Sequence, residues 1–225
     1  MLVSLGTLAS KQSAATEATS AATMQLLNYC ATHPDAVVRF HASGMQLAIN
    51  SNASYLSESE ARSRVAGYHF LTDAPLNPDK APEPNDVPPP FNGPKHTLSE
   101  ISTPVLASAA QAEFAGLYRN GQEDCTLGTT LSEMGHPQLP TRIKTDNGTA
   151  AGITNDTVKQ RRSIAIDMRY YWIRDCVRQG QFIVHWKRGA NNDADYFSKH
   201  HAPAHYRRMR SRYLYEGPPS QLDSV

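Results

Sequence analysis

The sequence predicts an α/β fold, a mixed five-stranded sheet with three antiparallel strands followed by two parallel ones, flanked by helices. Three strand-like segments follow one another with no helix between them, which favours an antiparallel meander. Later a strand–helix–strand succession favours a parallel crossover. The composition agrees: of 225 residues 40% are hydrophobic and 19% charged, enough for a packed core and incompatible with wholesale disorder.

The elements follow from local signals. Residues 16–33 read as a helix that Thr16 caps, with Leu26, Leu27 and Cys30 among its apolar positions and His33-Pro34 as its stop. Met45, Leu47 and Ile49 alternate with Gln46, Ala48 and Asn50, a strand signature. The Ser-rich stretch 51–63 reads as a turn region and Val65 to Leu71 as the second strand. Residues 73–94 hold eight prolines, so this segment is an extended loop and no central strand. His96 to Ser102 gives the third strand. Pro104 opens an Ala-rich helix that runs to Tyr118 and stops at Asn120-Gly121, and a second helix spans Glu123 to Met134. Thr141 to Thr145 is a short strand around Ile143. A long helix over Thr157 to Gln179 carries Ile164, Met168, Tyr171, Trp172 and Cys176 at helical spacing and ends at Gly180. Phe182, Val184 and Trp186 alternate as the last strand, and Asp193 to His200 form a closing helix. The remainder, 201–225, is basic and then rich in Pro and Ser.

Charge is unevenly spread. Residues 158–212 hold 13 of the 22 Lys and Arg but only 4 of the 21 Asp and Glu, so a net charge of +1 conceals a basic C-terminal third and an acidic remainder. Such a third can present a phosphate-binding face, although a solvated helix surface would have the same composition. Cys30, Cys125 and Cys176 are odd in number and far apart, which argues against a disulfide framework or a Cys-based zinc site. The N-terminal run MLVSLGTLASKQ lacks a basic n-region and a long apolar stretch. An intracellular protein, neither secreted nor membrane-bound, is therefore expected.

Three carboxylates lie near element ends in separate segments. Asp146 ends the fourth strand in IKTDNGTA, Asp195 opens the last helix in NNDADYFSK, and Glu113 lies on the Ala-rich helix in ASAAQAEFAGLY. Carboxylates from separate segments can converge to hold Mg²⁺, which prefers oxygen ligands. Spacing alone equally describes ordinary surface and capping residues.

The segment from about 36 to 213 resembles the ribonuclease H domain of copia-type retrotransposon Pol polyproteins. The runs SNASYLSESEARSRVAGYHFL, ASAAQAEFAGLY, IKTDNGTAAGI and RRSIAIDMRYYWIRDCVRQGQFIVHWKRGANNDADYFSKHH carry the resemblance, in that order along the chain. Residues 1–35, with LLNYCATHP, are similar to the helical connection from reverse transcriptase, and 214–225 read as a flexible tail. The resemblance implies a ribonuclease-H-like fold and an endonuclease that hydrolyses the RNA strand of RNA–DNA hybrids with two Mg²⁺ ions. It assigns catalytic and metal-ligating roles to Glu113, Asp146 and Asp195.

The first catalytic position departs from the family pattern. Copia-type domains have Asp-Ala-Ser-Tyr where this chain has Asn52-Ala53-Ser54-Tyr55. The resemblance gives that aspartate contact with both metals. A neutral amide offers one weaker carbonyl oxygen in place of two charged ones. Binding of the hybrid is therefore expected with activity impaired; the alternative is a non-catalytic nucleic-acid-binding remnant of a decayed element. Glu58, Glu60 and Asp73 are the carboxylates within reach in sequence of the missing position.

The hybrid and the rest of a Pol polyprotein are the expected partners. Lys159, Arg161, Arg162, Lys187, Arg188, Arg207 and Arg208 are the expected phosphate contacts, because such an enzyme must read backbone and shape rather than bases. Arg169, Arg174 and Arg178 lie along the long helix, while Ile164, Met168 and Trp172 read as core. Gln111 sits two residues from Glu113, on a different helix face. His185 reads as a strand histidine rather than a proton carrier, and His200, His201 and His205 lack the companion cysteines of a zinc site. Three Asn-X-Ser/Thr sequons, at Asn52, Asn147 and Asn155, read as chance matches.

Overall fold

The computed structural model describes residues 1–83, 86, 90–158, 169–189 and 192–215. In chain order its elements are α1 (Leu2–Ala9), α2 (Glu17–Ala31), β1 (Gln46–Ser54), β2 (Arg64–Thr72), β3 (Pro94–Ile101), α3 (Ala109–Glu133), β4 (Thr141–Thr145), α4 (Gly148–Thr154), α5 (Arg169–Arg178), β5 (Phe182–Trp186) and α6 (Pro203–Tyr213). A 3-10 stretch over Asp193–Phe197 follows β5. Two units are distinguished: Ala42–Lys199, and Met1–His41 together with the described chain from His200 on.

The larger unit is built on one sheet with strand order β3-β2-β1-β4-β5. β1, β2 and β3 pair antiparallel, and β4 pairs parallel with both β1 and β5. This is the mixed five-stranded sheet expected from the sequence, three antiparallel strands followed by two parallel ones. Alternate side chains of a strand face opposite sides, so each face acquires its own partners. On one face Ile49, Ile143, Phe182 and Val184 pack with Phe114 and Leu117 of α3, Ala150 and Ile153 of α4, and Ile173 of α5. On the other, Tyr68 stacks on Phe91 and Phe197 with ring centroids 5.0 and 5.8 Å away, and its hydroxyl donates to the Asn92 carbonyl at 2.7 Å.

Several boundaries differ from the sequence reading. β1 continues through Ser54, although 51–63 reads as a turn, because Asn50, Ser51 and Asn52 are buried and partnered rather than solvated. α3 is one helix where two were expected. Asn120 does not cap an end there: its amide donates to Gly116 O at 2.9 Å, Ala66 O at 3.0 Å and Ser51 Oγ at 3.1 Å, and its Oδ1 lies 2.9 Å from His69 Nε2. Gly121 stays helical because the space is needed; a Cβ there would lie 3.0 Å from Ile173 and 3.1 Å from Trp172. The closing helix is only the 3-10 stretch. α4 and α6 were not anticipated, while α1 lies within the stretch 1–35 read as helical; Asn147 caps α4 through Ala150 N, and Pro203 opens α6. The N-terminal part of the expected helix 157–179 lies outside the described residues, and α5 is its described part.

In the smaller unit Thr16 and Thr19 form a reciprocal cap at the start of α2, with Thr16 Oγ1 accepting from Thr19 N at 3.3 Å. Val37 bridges to Tyr215, the Arg39 guanidinium lies 3.7 Å from the Tyr215 ring centroid, and Arg210 donates to the Tyr29 hydroxyl at 3.3 Å. Among the described residues no helix is long and apolar enough to cross a membrane.

Asp124, on α3, gives the fold a pH dependence. It is 5% exposed and its Oδ1 has no hydrogen-bond partner. Burial raises its pKa from 3.8 to about 7, against the opposing effect of a hydrogen bond from Thr141. A carboxyl raised in the folded state stabilises fully below its unfolded pKa, and that contribution is lost as pH rises through the folded value. Stability should therefore fall between about pH 4 and pH 7 by roughly 2–4 kcal/mol from this group. Asp124→Asn should flatten the slope, gaining about 5 °C in Tm over the wild type at pH 8 relative to pH 4. Parallel pH–Tm curves for the two proteins would contradict this account.

Candidate active site

The site forms where the C-terminal ends of the parallel strands meet α3. Asn52 lies near the end of β1 and Asp146 directly follows β4, so the parallel pairing brings both to one edge. Asp195 is delivered by the 3-10 stretch, which is tied to β1 at several points. The Asn192 amide donates to Ser51 O at 2.8 Å and its Oδ1 accepts from Ala194 N at 3.2 Å. Asn50 donates to Asp193 Oδ2 at 2.8 Å, and Lys144 Nζ lies 3.5 Å from the same oxygen.

Asn52 joins the two aspartates. Its Nδ2 lies 3.5 Å from Asp146 Oδ2 and 3.4 Å from Asp195 Oδ1. Glu113 approaches from α3, where Ser108 caps the helix by accepting from Gln111 N. Glu113 Oε1 accepts from Ala53 N at 2.9 Å and Oε2 accepts from the Thr145 hydroxyl at 3.1 Å. Gly116, one turn on, permits that approach, since a Cβ there would lie 3.2 Å from both Asn52 O and Ser51 Oγ. Gly189 does the same beside Asp146, where a Cβ would come within 2.8 Å of Oδ2. Trp186, half exposed, packs over Gly148 and donates from Nε1 to the Asp146 carbonyl at 2.9 Å.

The cluster is electrostatically uncomfortable. Burial first, and the neighbouring Asp146 charge second, push Glu113 up to about 8. Burial and then Asp195 raise Asp146 above its ordinary value. The Lys199 ammonium sits 2.6 Å from Asp195 Oδ1. Three converging carboxylates, two of which resist ionising without a counter-charge, are a donor set suited to a hard divalent cation. Asn52 fits as a weaker fourth ligand, since turning its amide would present the carbonyl oxygen.

The other carboxylates near position 52 are used elsewhere. Glu58 accepts from buried Arg64 at 2.7 Å, Glu60 lies 3.5 Å from Arg62, and Asp73 accepts from Gly44 N at 2.7 Å at the opposite end of β1. Gln111 receives Ala107 N at 2.6 Å at the start of α3. His185 pairs across the sheet with Lys144; burial, and then that lysine, lower its pKa to about 4, which keeps it neutral.

The basic residues divide. Arg188 is exposed after β5, and Lys187 beside it donates to Glu83 O at 2.9 Å. Lys159, Arg161 and Arg162, with Ile164 and Met168, lie outside the described residues. Arg174 and Arg178 are bound to Asp156 at 2.6 and 3.0 Å, so part of the helix charge is internally neutralised. Trp172 packs on Tyr118 and Phe182, as a core residue should. Arg207 and Arg208 are exposed on α6 in the smaller unit, where Arg208 lies 3.0 Å from His205 Nδ1 and His205 stacks on His201. Asn50, Thr145, Asn192 and Asp193 escaped the sequence reading as positioning residues.

No family model and no curated protein matches the chain. Among solved structures it is similar to LC11-RNase H1 in complex with RNA/DNA hybrid, at 10% identity over 68% of this chain and 93% of that one, with a TM-score of 0.46. The N-terminal RNase H domain of Rv2228c from Mycobacterium tuberculosis matches at 12% identity over 68% and 91%, with a TM-score of 0.44. The prototype foamy virus protease–reverse transcriptase matches at 10% identity over 82% of this chain and 22% of that chain, with a TM-score of 0.39.

The arrangement of the cluster has a direct thermal consequence. Asn52→Asp replaces a shared donor by a fourth carboxylate between two others. In chelator this should lower Tm by about 5 °C or more, and millimolar Mg²⁺ should restore it, whereas the wild type should respond less to either. A variant as stable as the wild type in chelator would show that these groups do not sense one another.

Proposed function

We propose that this chain is a copia-type, retrotransposon-derived ribonuclease-H-like domain that binds RNA–DNA hybrids and has lost most of its hydrolytic activity. The observation that carries this reading is the Asn52 amide lying between Asp146 and Asp195. Glu113, Asp146 and Asp195 would hold Mg²⁺, with Asn52 the weakened ligand. When bound, such ions supply charge stabilisation to the attacking and leaving oxygens of a phosphodiester. The chain's own contribution is positional: Thr145 and the Ala53 amide hold the Glu113 carboxylate, and Asn192, Asn50 and Asp193 fix the segment that presents Asp195.

Substrate binding would rest on phosphate contacts. Arg188 offers an exposed cation on the segment that passes Asp146, and Lys187, whose ammonium donates to Glu83 O, lies beside it. Lys159, Arg161 and Arg162 extend the set in sequence, as do Arg207 and Arg208. Recognition of this type is salt-sensitive and indifferent to base sequence. A non-catalytic hybrid-binding remnant is the second reading, favoured by the same amide, and turnover separates the two.

Cleavage of a labelled RNA–DNA hybrid in Mg²⁺ should be slower for the wild type than for Asn52→Asp by about 100-fold or more, the scale of losing a charge-stabilising group from an active site. Equal rates would remove the proposed effect of Asn52. Hybrid binding without turnover in both proteins would establish the remnant reading. In the same titrations Arg188→Ala should flatten the log–log salt dependence of affinity by about 1. An unchanged slope would take Arg188 out of the binding face.

A further inference from the structure

Asp195 already carries a cation. The chain keeps a helical conformation at Ser198, whose Oγ donates to Asp195 O at 3.0 Å, so Lys199, four residues on, lies beside the Asp195 side chain. Its Nζ lies 2.6 Å from Asp195 Oδ1, the same oxygen that faces Asn52 Nδ2 at 3.4 Å. One carboxylate oxygen thus faces two N–H groups, one of them charged. Asn52 then continues to Asp146 Oδ2 at 3.5 Å, so nitrogen donors run between the two aspartates where oxygen ligands would be needed around an ion. The Lys199 charge also reaches Asp146, whose pKa it lowers against the larger effect of burial.

We propose that Lys199 is the resident cation of this cluster: it holds Asp195 against divalent ions, so that the chain takes up one divalent cation, through Asp146 and Glu113, in place of two. The inference rests on the reading of the cluster as a metal site and adds to it an internal competitor. The physical basis is charge economy. A divalent ion at Asp195 must displace an ammonium tethered four residues away, and a tethered group competes at a high effective concentration. Asn52 strengthens the competitor, because it withdraws the carboxylate that would otherwise help to recruit the second ion. In Asn52→Asp that carboxylate returns and the balance shifts toward metal.

Mn²⁺ alone, titrated into the full chain at fixed ionic strength and followed by electron paramagnetic resonance of the free ion, tests this without reference to activity. The wild type should bind one ion. Lys199→Met and Lys199→Gln should bind a second, or bind the first about tenfold more tightly, while Lys199→Arg should stay close to wild type. Lys199 is nearly half exposed, so these variants should keep the wild-type Tm in chelator within a few degrees, as expected for a surface ion pair. If Asn52→Asp binds Mn²⁺ but Lys199→Met and Lys199→Gln remain within twofold of the wild type, the competitor role is wrong and the metal-site reading stands. If neither the wild type nor Asn52→Asp binds Mn²⁺, the metal-site reading fails and takes the inference with it.

Discussion

Three consecutive polar residues in the middle strand, Asn50, Ser51 and Asn52, constrain most of the larger unit. All three are buried, and a buried polar group is costly unless it is bonded. Each therefore recruits a partner from a different element. Asn50 holds Asp193, Ser51 receives Asn120 of α3 and offers its carbonyl to Asn192, and Asn52 joins Asp146 to Asp195. Placing polar groups in the centre of a sheet exchanges hydrophobic burial for directional bonds, and those bonds set where α3 and the 193–197 stretch lie. The same strand thus specifies both the packing and the position of the acidic residues.

That exchange explains which features were legible in the sequence. The sheet could be read because Leu47 and Ile49, Ile143, and Phe182 and Val184 are apolar at strand period, and their burial follows from simple alternation. Glu113, Asp146 and Asp195 could be named from the motifs that carry them. Residues 51–54 misled because polarity signals solvent in most chains, whereas here it signals a buried network. Asn120-Gly121 misled for the same reason: a helix-ending pair by local propensity remains helical where the asparagine is completely bonded and the glycine makes room for Ile173 and Trp172. Lys199 meets Asp195 four residues on, a spacing that the helical reading of 193–200 already places on one face.

The electrostatics of the cluster show what an amide does in place of a carboxylate. With Asn52, the two aspartates share a neutral donor and one of them an ammonium, so their repulsion is moderated within the protein itself. Glu113 is held near neutrality by burial, and its two oxygens are satisfied by Ala53 N and Thr145. Buried acidic groups are in this way held together without an added counter-ion.

Trp186 gives this edge of the sheet an optical property. The chain has two tryptophans. Trp172 lies among Tyr118 and Phe182, where its emission follows the integrity of the α3–α5 face. Trp186 is half exposed and its indole N–H is bonded to the carbonyl of Asp146 itself, so any change in the charge or solvation of that residue acts directly on the chromophore. One fluorophore is thus sensitive to unfolding and the other to events at the acidic cluster, and quenching by a small aqueous quencher would distinguish their contributions. The protein carries an internal reporter beside the acidic cluster.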